Sequence, residues 1–94
     1  MSLTFEWDPR KATTNLRKHK VSFAEATTVF NDPFGAAVAD PDHSNEEERF
    51  ILVGQSNRHR LLIVAFTERA GRIRIISARL LTESERKQYE EQGY

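Results

Sequence analysis

Cysteine is missing from the 94-residue sequence, and its absence excludes two kinds of site. The chain can form neither a disulfide framework nor a thiolate zinc site, and nothing argues for an oxidising compartment. The sequence also lacks an apolar run near the roughly 20 residues that a membrane helix needs, and its N-terminus has no basic segment followed by an apolar one. We therefore expect a cytoplasmic protein that does not enter a membrane.

Length and apolar content set the size of the core. With 94 residues, of which 38% are apolar, the chain suits one small domain over residues 1–94 that buries somewhat over half of its unfolded surface. The chain also has no excess of charge of either sign, since its formal net charge is zero. A zero net charge argues against a general nucleic-acid binder. The distribution of the charges points the other way.

Charges of one sign are grouped along the chain. Residues 9–20 contain five lysines and arginines and no acidic residue, whereas residues 32–48 contain six acidic residues and no lysine or arginine. Residues 49–79 contain seven arginines, one glutamate and no lysine, a net charge of +6. Arginine binds phosphate through two parallel hydrogen bonds, which lysine cannot do, so this last block favours a phosphate-rich ligand such as nucleic acid.

The N-terminal third of the chain predicts one strand and two helices. Residues 3–7 alternate apolar and polar side chains, which indicates a half-buried strand. Asp8 should cap a helix that starts at Pro9 and ends near Lys18. Ser22 should start a second helix through a capping box, accepting from the amide of the glutamate three residues later while that glutamate reaches back.

The rest of the chain predicts a small antiparallel sheet and a third helix. A short strand is expected at residues 34–39, before an acidic loop at residues 40–47. Three main strands follow at residues 50–55, 61–67 and 72–77, and their short connections predict an antiparallel meander. The expected fold is α+β: this meander with one or two short strands, packed by the two N-terminal helices.

Two of these elements carry a more specific expectation. Positions 61–66 are apolar throughout, which predicts a central strand covered on both faces. Thr82 and Glu85 form a second capping box that opens a helix running to about Gln92. Only Tyr89 in this helix can bury much surface, so the helix should be peripheral or held by a partner.

The arginines of the last predicted strand are the leading candidates for a functional site. Metal-free RNA cleavage needs a base for the 2′-hydroxyl, donors for the pentacoordinate phosphorane and an acid for the departing 5′-oxygen, and arginine suits the second role. Arg74 is the first candidate because a strand can fix its position, although Arg72 and Arg74 could equally line an exposed sheet face. Arg79 has the opposite strand parity and joins Arg74 only if the strand ends or bulges near Ser77.

The catalytic base has two candidates, and each has a structural alternative. Glu48 could be the base, or it could form a salt bridge to Arg49 or a neighbouring strand arginine. His19 carries an imidazole within a basic cluster and could serve as acid or base, but a structural role at the end of the first helix is equally open. Tyr89 could stack a nucleic-acid base or donate a proton, or it could anchor its helix. RNA binding is assigned to Arg49, Arg69, Arg72, Lys18 and Tyr89.

Metal chemistry is not expected. His43 lies with Asp40 and Asp42 in the acidic loop, but their spacing matches no established metal-binding loop, and a solvated acidic turn explains them. No cofactor is expected either. Any reaction would then depend on arginine, acid and base side chains alone.

The order of motifs along the chain resembles BrnT-type toxins. The resemblance covers nearly the whole chain and is carried by residues 5–9 (FEWDP), Lys11, Asn15, 18–19, 21–23, Ala26, 29–30, 32–33, Asp40, 42–44, 48–50, Gly54, 67–69, 73–79 (IRIISAR), 85–86 and 89–90. Lys20 departs from the pattern, because the family often has glycine there. A positive φ at Lys20 would carry a modest strain that glycine avoids.

This resemblance implies a function and partners. BrnT-type toxins are ribonucleases of type II toxin–antitoxin systems, with a compact α+β fold similar to RelE-like toxins, and a DNA-binding BrnA-type antitoxin neutralises them. A metal-independent endoribonuclease that inhibits translation is then expected, with DNA contacted only through the antitoxin, which should cover the arginine face and the polar last helix. Two alternatives stay open: a non-catalytic RNA- or DNA-binding module, and a structural subunit of a DNA-binding complex.

Overall fold

The computed structural model describes residues 3–40 and 48–92, so most of the predicted acidic loop, including Asp42 and His43, lies outside the described residues. Within these ranges the helices and strands follow the predicted order. They are β1 Phe5–Glu6, α1 Pro9–His19, α2 Phe23–Thr28, a single 3₁₀ turn Val29–Asn31, β2 Ala36–Ala39, β3 Arg49–Gln55, β4 Leu61–Arg69, β5 Arg72–Leu80 and α3 Glu83–Glu91. The predicted α+β fold class is confirmed.

The five strands form one sheet in the order β1-β5-β4-β3-β2. Strands β2 to β5 pair with antiparallel neighbours, as the short connections predict. Strand β1 pairs with β5 in parallel, with Phe5 opposite Ile73 and Glu6 opposite Arg74, so the sheet is mixed. This parallel edge brings the first acidic residue of the chain next to the strand arginines.

The two N-terminal helices pack on β5 and cover one face of the sheet, where the core lies. On this face Phe30 contacts Phe5 and Phe66 edge to face, with ring centroids 5.1 and 5.0 Å apart. Such aromatic pairs add to the free energy gained by burying apolar area. The buried core consists of Val21, Phe23, Ala26, Val29, Leu52, Leu62, Val64, Phe66, Ile73, Ile75 and Ala78.

The second face of the sheet is only partly covered. Strand β4 is central, as predicted, but its residues Leu61, Ile63 and Ala65 on this face are only half-buried. The prediction that this strand is covered on both faces is therefore wrong for the second face. The physical reason is that α3 borders the sheet there across an open cleft lined by Ile63 and Gln88, among others.

Asn15 holds α1 on β5 beyond the point where the two-residue strand β1 ends. Its buried amide donates to the carbonyl oxygens of Val21 and Ala78 at 2.9 and 2.8 Å, and its Oδ1 accepts from the Ala78 N–H at 3.1 Å. Helix α1 begins at its predicted cap, where Asp8 accepts from the Arg10 N–H at 2.8 Å. It ends at Lys20, whose φ of 59° is the positive value expected for a position that glycine often fills.

The capping box predicted for α2 is only half correct. Ser22 accepts from the Glu25 N–H at 3.0 Å, as expected. The carboxylate of Glu25 does not reach back, because it is buried and bound to Arg60 and Ser56 from the β3–β4 turn. Glu25 therefore joins α2 to the end of the sheet instead of closing its own helix.

Candidate nucleic-acid interface

Arg74 lies on the second face of the sheet and is held by Glu6. Its guanidinium donates to Glu6 Oε2 at 3.0 Å, and Arg72 reaches the other oxygen of the same carboxylate at 3.4 Å. The Arg74 and Glu6 side chains keep 30% and 26% of their accessible surface. A ligand can therefore still reach both groups.

Four arginines meet at one end of this face, which we call the arginine end: Arg49, Arg69, Arg72 and Arg74. Strand pairing places Thr67 of β4 directly between Arg49 of β3 and Arg74 of β5. Arg69 and Arg72 face each other two residues further along the same hairpin. Like charges opposite each other on a sheet repel, so this end of the molecule favours a bound anion.

The ion pair keeps Glu6 charged. The hydrogen bond from Arg74, followed by that from Arg72, holds the pKa of the Glu6 carboxyl below its ordinary value. A carboxylate with a lowered pKa is a weak base at neutral pH. Glu6 is therefore better suited to orienting Arg74 than to removing a proton.

Glu48 lies at the same end of the sheet as Arg74. Its carbonyl oxygen accepts from the Thr67 hydroxyl at 2.6 Å, and Thr67 lies beside Arg74 in the strand pairing. Within residues 3–40 and 48–92, the Glu48 carboxylate forms no ion pair, so the predicted structural alternative, a salt bridge to Arg49 or another strand arginine, is not found there.

A β-bulge on β5 places Arg79 on the same face as Arg74. Ser77 pairs with Ala65, but Ile75 pairs with the next residue, Phe66, so Ile76 is an extra residue in the ladder. The bulge reverses the strand parity that would otherwise separate Arg74 from Arg79, which meets the condition stated from the sequence. Their β4 partners are nevertheless four residues apart, about 13 Å along a strand, so the bulge does not bring the two guanidinium groups together.

Arg79 is bound by Glu85 of α3. It donates to both carboxylate oxygens, at 2.8 and 3.0 Å, while Glu85 Oε1 also accepts from the Thr82 N–H at 2.9 Å. The Arg79 hydrogen bonds lower the pKa of Glu85 to about 2. The predicted second capping box is confirmed, and Arg79 belongs to the contact that positions α3.

Tyr89 anchors α3 rather than facing the arginine end. Its hydroxyl donates to the Phe34 carbonyl oxygen at 3.1 Å, ahead of β2. It lines a cavity of about 640 Å³ together with Phe34, Leu80 and Leu81, and the Phe34 and Leu80 side chains are exposed. No residue of α3 is buried, as expected from its polar sequence.

His19 and Lys18 lie elsewhere, in a groove between α1 and the bulge of β5. The structure thus distributes the predicted site residues over three places. The arginine end contains Arg49, Arg69, Arg72 and Arg74, with Glu48 next to them. Arg79 of β5 is bound by α3, and Tyr89 belongs to that helix. His19 and Lys18 line the groove.

Glu6 is the residue of this region that sequence reasoning missed. The alternation of residues 3–7 indicated a half-buried strand but not its neighbour. Only the parallel pairing of β1 with β5 puts its carboxylate next to Arg72 and Arg74. The available signal was the acidic residue inside a strand pattern, in a chain whose other predicted strands contain no acidic residue.

Within residues 3–40 and 48–92, no group of three or more histidine, aspartate and glutamate side chains is placed to hold a metal ion. Of the helices in these same ranges, none combines the length and the apolar composition that a membrane crossing requires.

The comparisons with known proteins agree with the fold described above. The model of the family "ribonuclease toxin, BrnT, of type II toxin-antitoxin system" matches residues 7–85. The crystal structure of the Brucella abortus ribonuclease toxin BrnT is similar, with a TM-score of 0.64 and 22% sequence identity over 87% of this chain and 100% of that chain. Curated protein sequences give no match. Because the family model covers well over half of the sequence, the chain belongs to the BrnT family of ribonuclease toxins of type II toxin–antitoxin systems.

Proposed function

We propose that this chain is a metal-independent endoribonuclease of the cytoplasm, that it cleaves RNA at the arginine end of its sheet and thereby inhibits translation, and that a BrnA-type antitoxin neutralises it. The observation that carries the proposal is Arg74, a guanidinium on a strand whose position Glu6 fixes from the neighbouring strand at 3.0 Å while part of the side chain stays accessible. A donor that is held in place before the substrate arrives stabilises developing charge without a cost of reorganisation. The RelE-like fold remains part of this proposal.

The residues at the arginine end divide three roles in the proposed reaction: base, phosphorane donor and phosphate binding. The 2′-oxygen loses its proton to Glu48 and attacks the adjacent phosphorus, the bond to the 5′-oxygen breaks, and the departing 5′-oxygen takes a proton from a solvent water molecule. A 2′,3′-cyclic phosphate and a 5′-hydroxyl are formed. Arg74 donates to the phosphorane oxygens, and Arg49, Arg69 and Arg72 hold neighbouring phosphates. Glu48 is preferred to Glu6 as base because Arg72 and Arg74 lower the pKa of Glu6.

We propose that the antitoxin covers α3 and the cavity beside it. Helix α3 buries no residue within the chain, and Phe34 and Leu80 expose apolar surface at the cavity. An antitoxin segment with apolar side chains for the cavity and acidic ones for the arginine face fits both features. DNA would be reached only through the antitoxin.

Cleavage of RNA in EDTA tests the proposed ribonuclease. The wild-type protein is compared with Arg74→Lys, which keeps the charge but loses the planar pair of donors, and with the matched control Arg86→Lys on the exposed surface of α3. We expect discrete products from the wild type and the control, and a rate about 10²-fold lower for Arg74→Lys. RNA binding by all three proteins without cleavage by any of them would instead support the non-catalytic binding module.

A further inference from the structure

Within residues 3–40 and 48–92, the lysines and arginines of residues 10–20 form no ion pair, unlike four arginines that follow them in the chain. Arg60, Arg72, Arg74 and Arg79 each bind a carboxylate of the chain. In contrast, none of the five lysines and arginines between residues 10 and 20 forms an ion pair within residues 3–40 and 48–92. Most of the positive charge that has no ion pair within residues 3–40 and 48–92 therefore lies on or next to α1, and Arg49 of β3 is the exception on the strands.

Part of this charge lines a groove of about 340 Å³ between α1 and the bulge of β5. The lining residues are Arg10, Lys11, Thr14, Asn15, Lys18, His19, Ile76 and Ser77. No acidic residue is among them. The polar lining thus consists of three lysine and arginine cations, two hydroxyl groups, one imidazole and one amide, which suits an anion.

The groove is elongated because the cations of its wall recur along one side of helix α1. Arg10, Thr14 and Lys18 follow one another at intervals of four residues, with Lys11 and Asn15 on the adjacent row. Arg10 and Lys18 are eight residues apart, about 12 Å along a helix. A row of this length suits a stretch of sugar–phosphate backbone better than a single phosphate.

The groove is also close to the arginine end along the chain. Its floor on β5 starts at Ile76, two residues after Arg74, and its helix starts three residues after Glu6. Asn15 fixes the distance between the two walls, because its amide and Oδ1 bind both backbone groups of Ala78. A strand of RNA lying at Arg74 can therefore continue into the groove.

We infer that the α1–β5 groove binds the backbone of single-stranded RNA next to the phosphate held at Arg74, through Arg10, Lys11 and Lys18. The inference rests on the proposed ribonuclease, since it names where the substrate of that site runs. Binding in the groove is a phosphate contact and carries no information about base sequence.

The test measures how binding of a short 2′-O-methyl RNA depends on salt concentration. This probe cannot be cleaved because its 2′-oxygen carries no proton to lose. The groove variant Arg10→Gln/Lys11→Gln/Lys18→Gln is compared with a control of equal charge change outside the groove, Arg17→Gln/Lys20→Gln/Lys87→Gln. Each phosphate contact contributes about 0.7 to the slope of log affinity against log salt, so the groove variant should lose about 2 from this slope and the control almost nothing.

A second pair of variants keeps every cation in place. Thr14→Glu adds a carboxylate inside the groove, whereas Thr13→Glu adds one to the exposed surface of the same helix. Only the first should weaken RNA binding, by about tenfold or more at low salt. Thermal unfolding followed by circular dichroism checks that the variants fold.

Two results would contradict RNA binding in the groove. If the groove and control variants lose the same amount of slope, the effect is due to net charge alone. If the groove variant keeps the wild-type slope, the groove does not bind RNA. The second conclusion also holds if that variant loses antitoxin binding instead. Because the probe is not cleavable, failure of the ribonuclease is a separate result. A slope difference without cleavage of ordinary RNA would support RNA binding in the groove and exclude ribonuclease activity. Cleavage without a slope difference would support ribonuclease activity and exclude RNA binding in the groove.

Discussion

Glu6 accepts a hydrogen bond from Arg74 at 3.0 Å across the parallel pairing of β1 with β5. The carboxylate comes from the first strand of the chain and the guanidinium from the last, and the two-residue strand β1 has no other pairing partner in the described sheet. The short first strand is therefore best understood as a support for Arg74.

Replacing Glu6 by Gln should separate RNA binding from cleavage. The change removes a negative charge next to the substrate phosphates, so KM should stay equal or fall, while Arg74 loses the partner that fixes it and kcat should fall by about 10- to 100-fold. Steady-state kinetics on a short RNA measures both. Glu90→Gln, which breaks an exposed ion pair with Arg86, is the control, and an unchanged kcat for Glu6→Gln would exclude a positioning role.

Replacing Glu25 by Gln should destabilise the fold without touching the arginine end. Its carboxylate is buried and binds Arg60 and Ser56, so the neutral amide leaves the Arg60 charge without a partner, at a cost of about 3 kcal/mol in the free energy of unfolding. Urea denaturation at neutral pH measures the difference. A loss below about 1 kcal/mol would show that the pair contributes little, as exposed pairs do.

Acid should weaken the fold through the same carboxylates. Hydrogen bonds from Arg60 lower the pKa of Glu25, and those from Arg79 lower the pKa of Glu85 to about 2, so both groups stabilise the folded state fully above the ordinary value of 4.5. That contribution is lost as the pH falls from 4.5 through the folded pKa values. The thermal midpoint should therefore decline over this interval, and Glu25→Gln should decline less than wild type. Parallel curves for the two proteins would contradict the assignment to Glu25.

Asn15→Ala should be among the more destabilising single substitutions in α1. The change leaves the Ala78 N–H and two carbonyl oxygens without their partner in a buried position, which should cost about 3 kcal/mol. Chemical denaturation measures it, with Asn57→Ala in the exposed β3–β4 turn as control. Equal stability of the two variants would mean that α1 is held to β5 by apolar contacts alone.

Removing α3 should abolish antitoxin binding and keep a folded core. A chain that ends after Leu81 loses the Glu85–Arg79 and Tyr89–Phe34 contacts, and none of residues 82–92 is buried. Circular dichroism should show a cooperative thermal transition, and titration calorimetry should show no binding of the antitoxin. Unchanged affinity would place the antitoxin on another surface.

Local signals in the sequence predicted most of the fold. The caps at Asp8, Ser22 and Thr82 and the short connections of the meander depend on neighbouring residues, and the structure contains each of them. The parallel pairing of β1 and the half-open face of β4 depend on contacts between distant segments, which periodicity does not encode.

The candidate site was less predictable for the same reason. Arginines on a strand indicated an anion site, but the carboxylates that bind Arg74, Arg60 and Arg79 come from other parts of the chain or from another element. They are Glu6, Glu25 and Glu85. Arg60 and Arg79 are bound by Glu25 and Glu85, whereas within residues 3–40 and 48–92 the cations of α1 form no ion pair. The bulge at Ile76 determines the sheet face on which Arg79 lies, and no glycine in the sequence there predicts it.

The chemistry of the RNA ends tests the central claim most directly. Products formed in EDTA by the wild type and by Arg74→Ala are analysed by mass spectrometry at their 3′ ends. We predict 2′,3′-cyclic phosphates from the wild type and a rate about 10²- to 10³-fold lower for Arg74→Ala. Products with 3′-hydroxyl ends, or equal rates for the two proteins, would contradict a metal-independent reaction in which Arg74 stabilises the phosphorane.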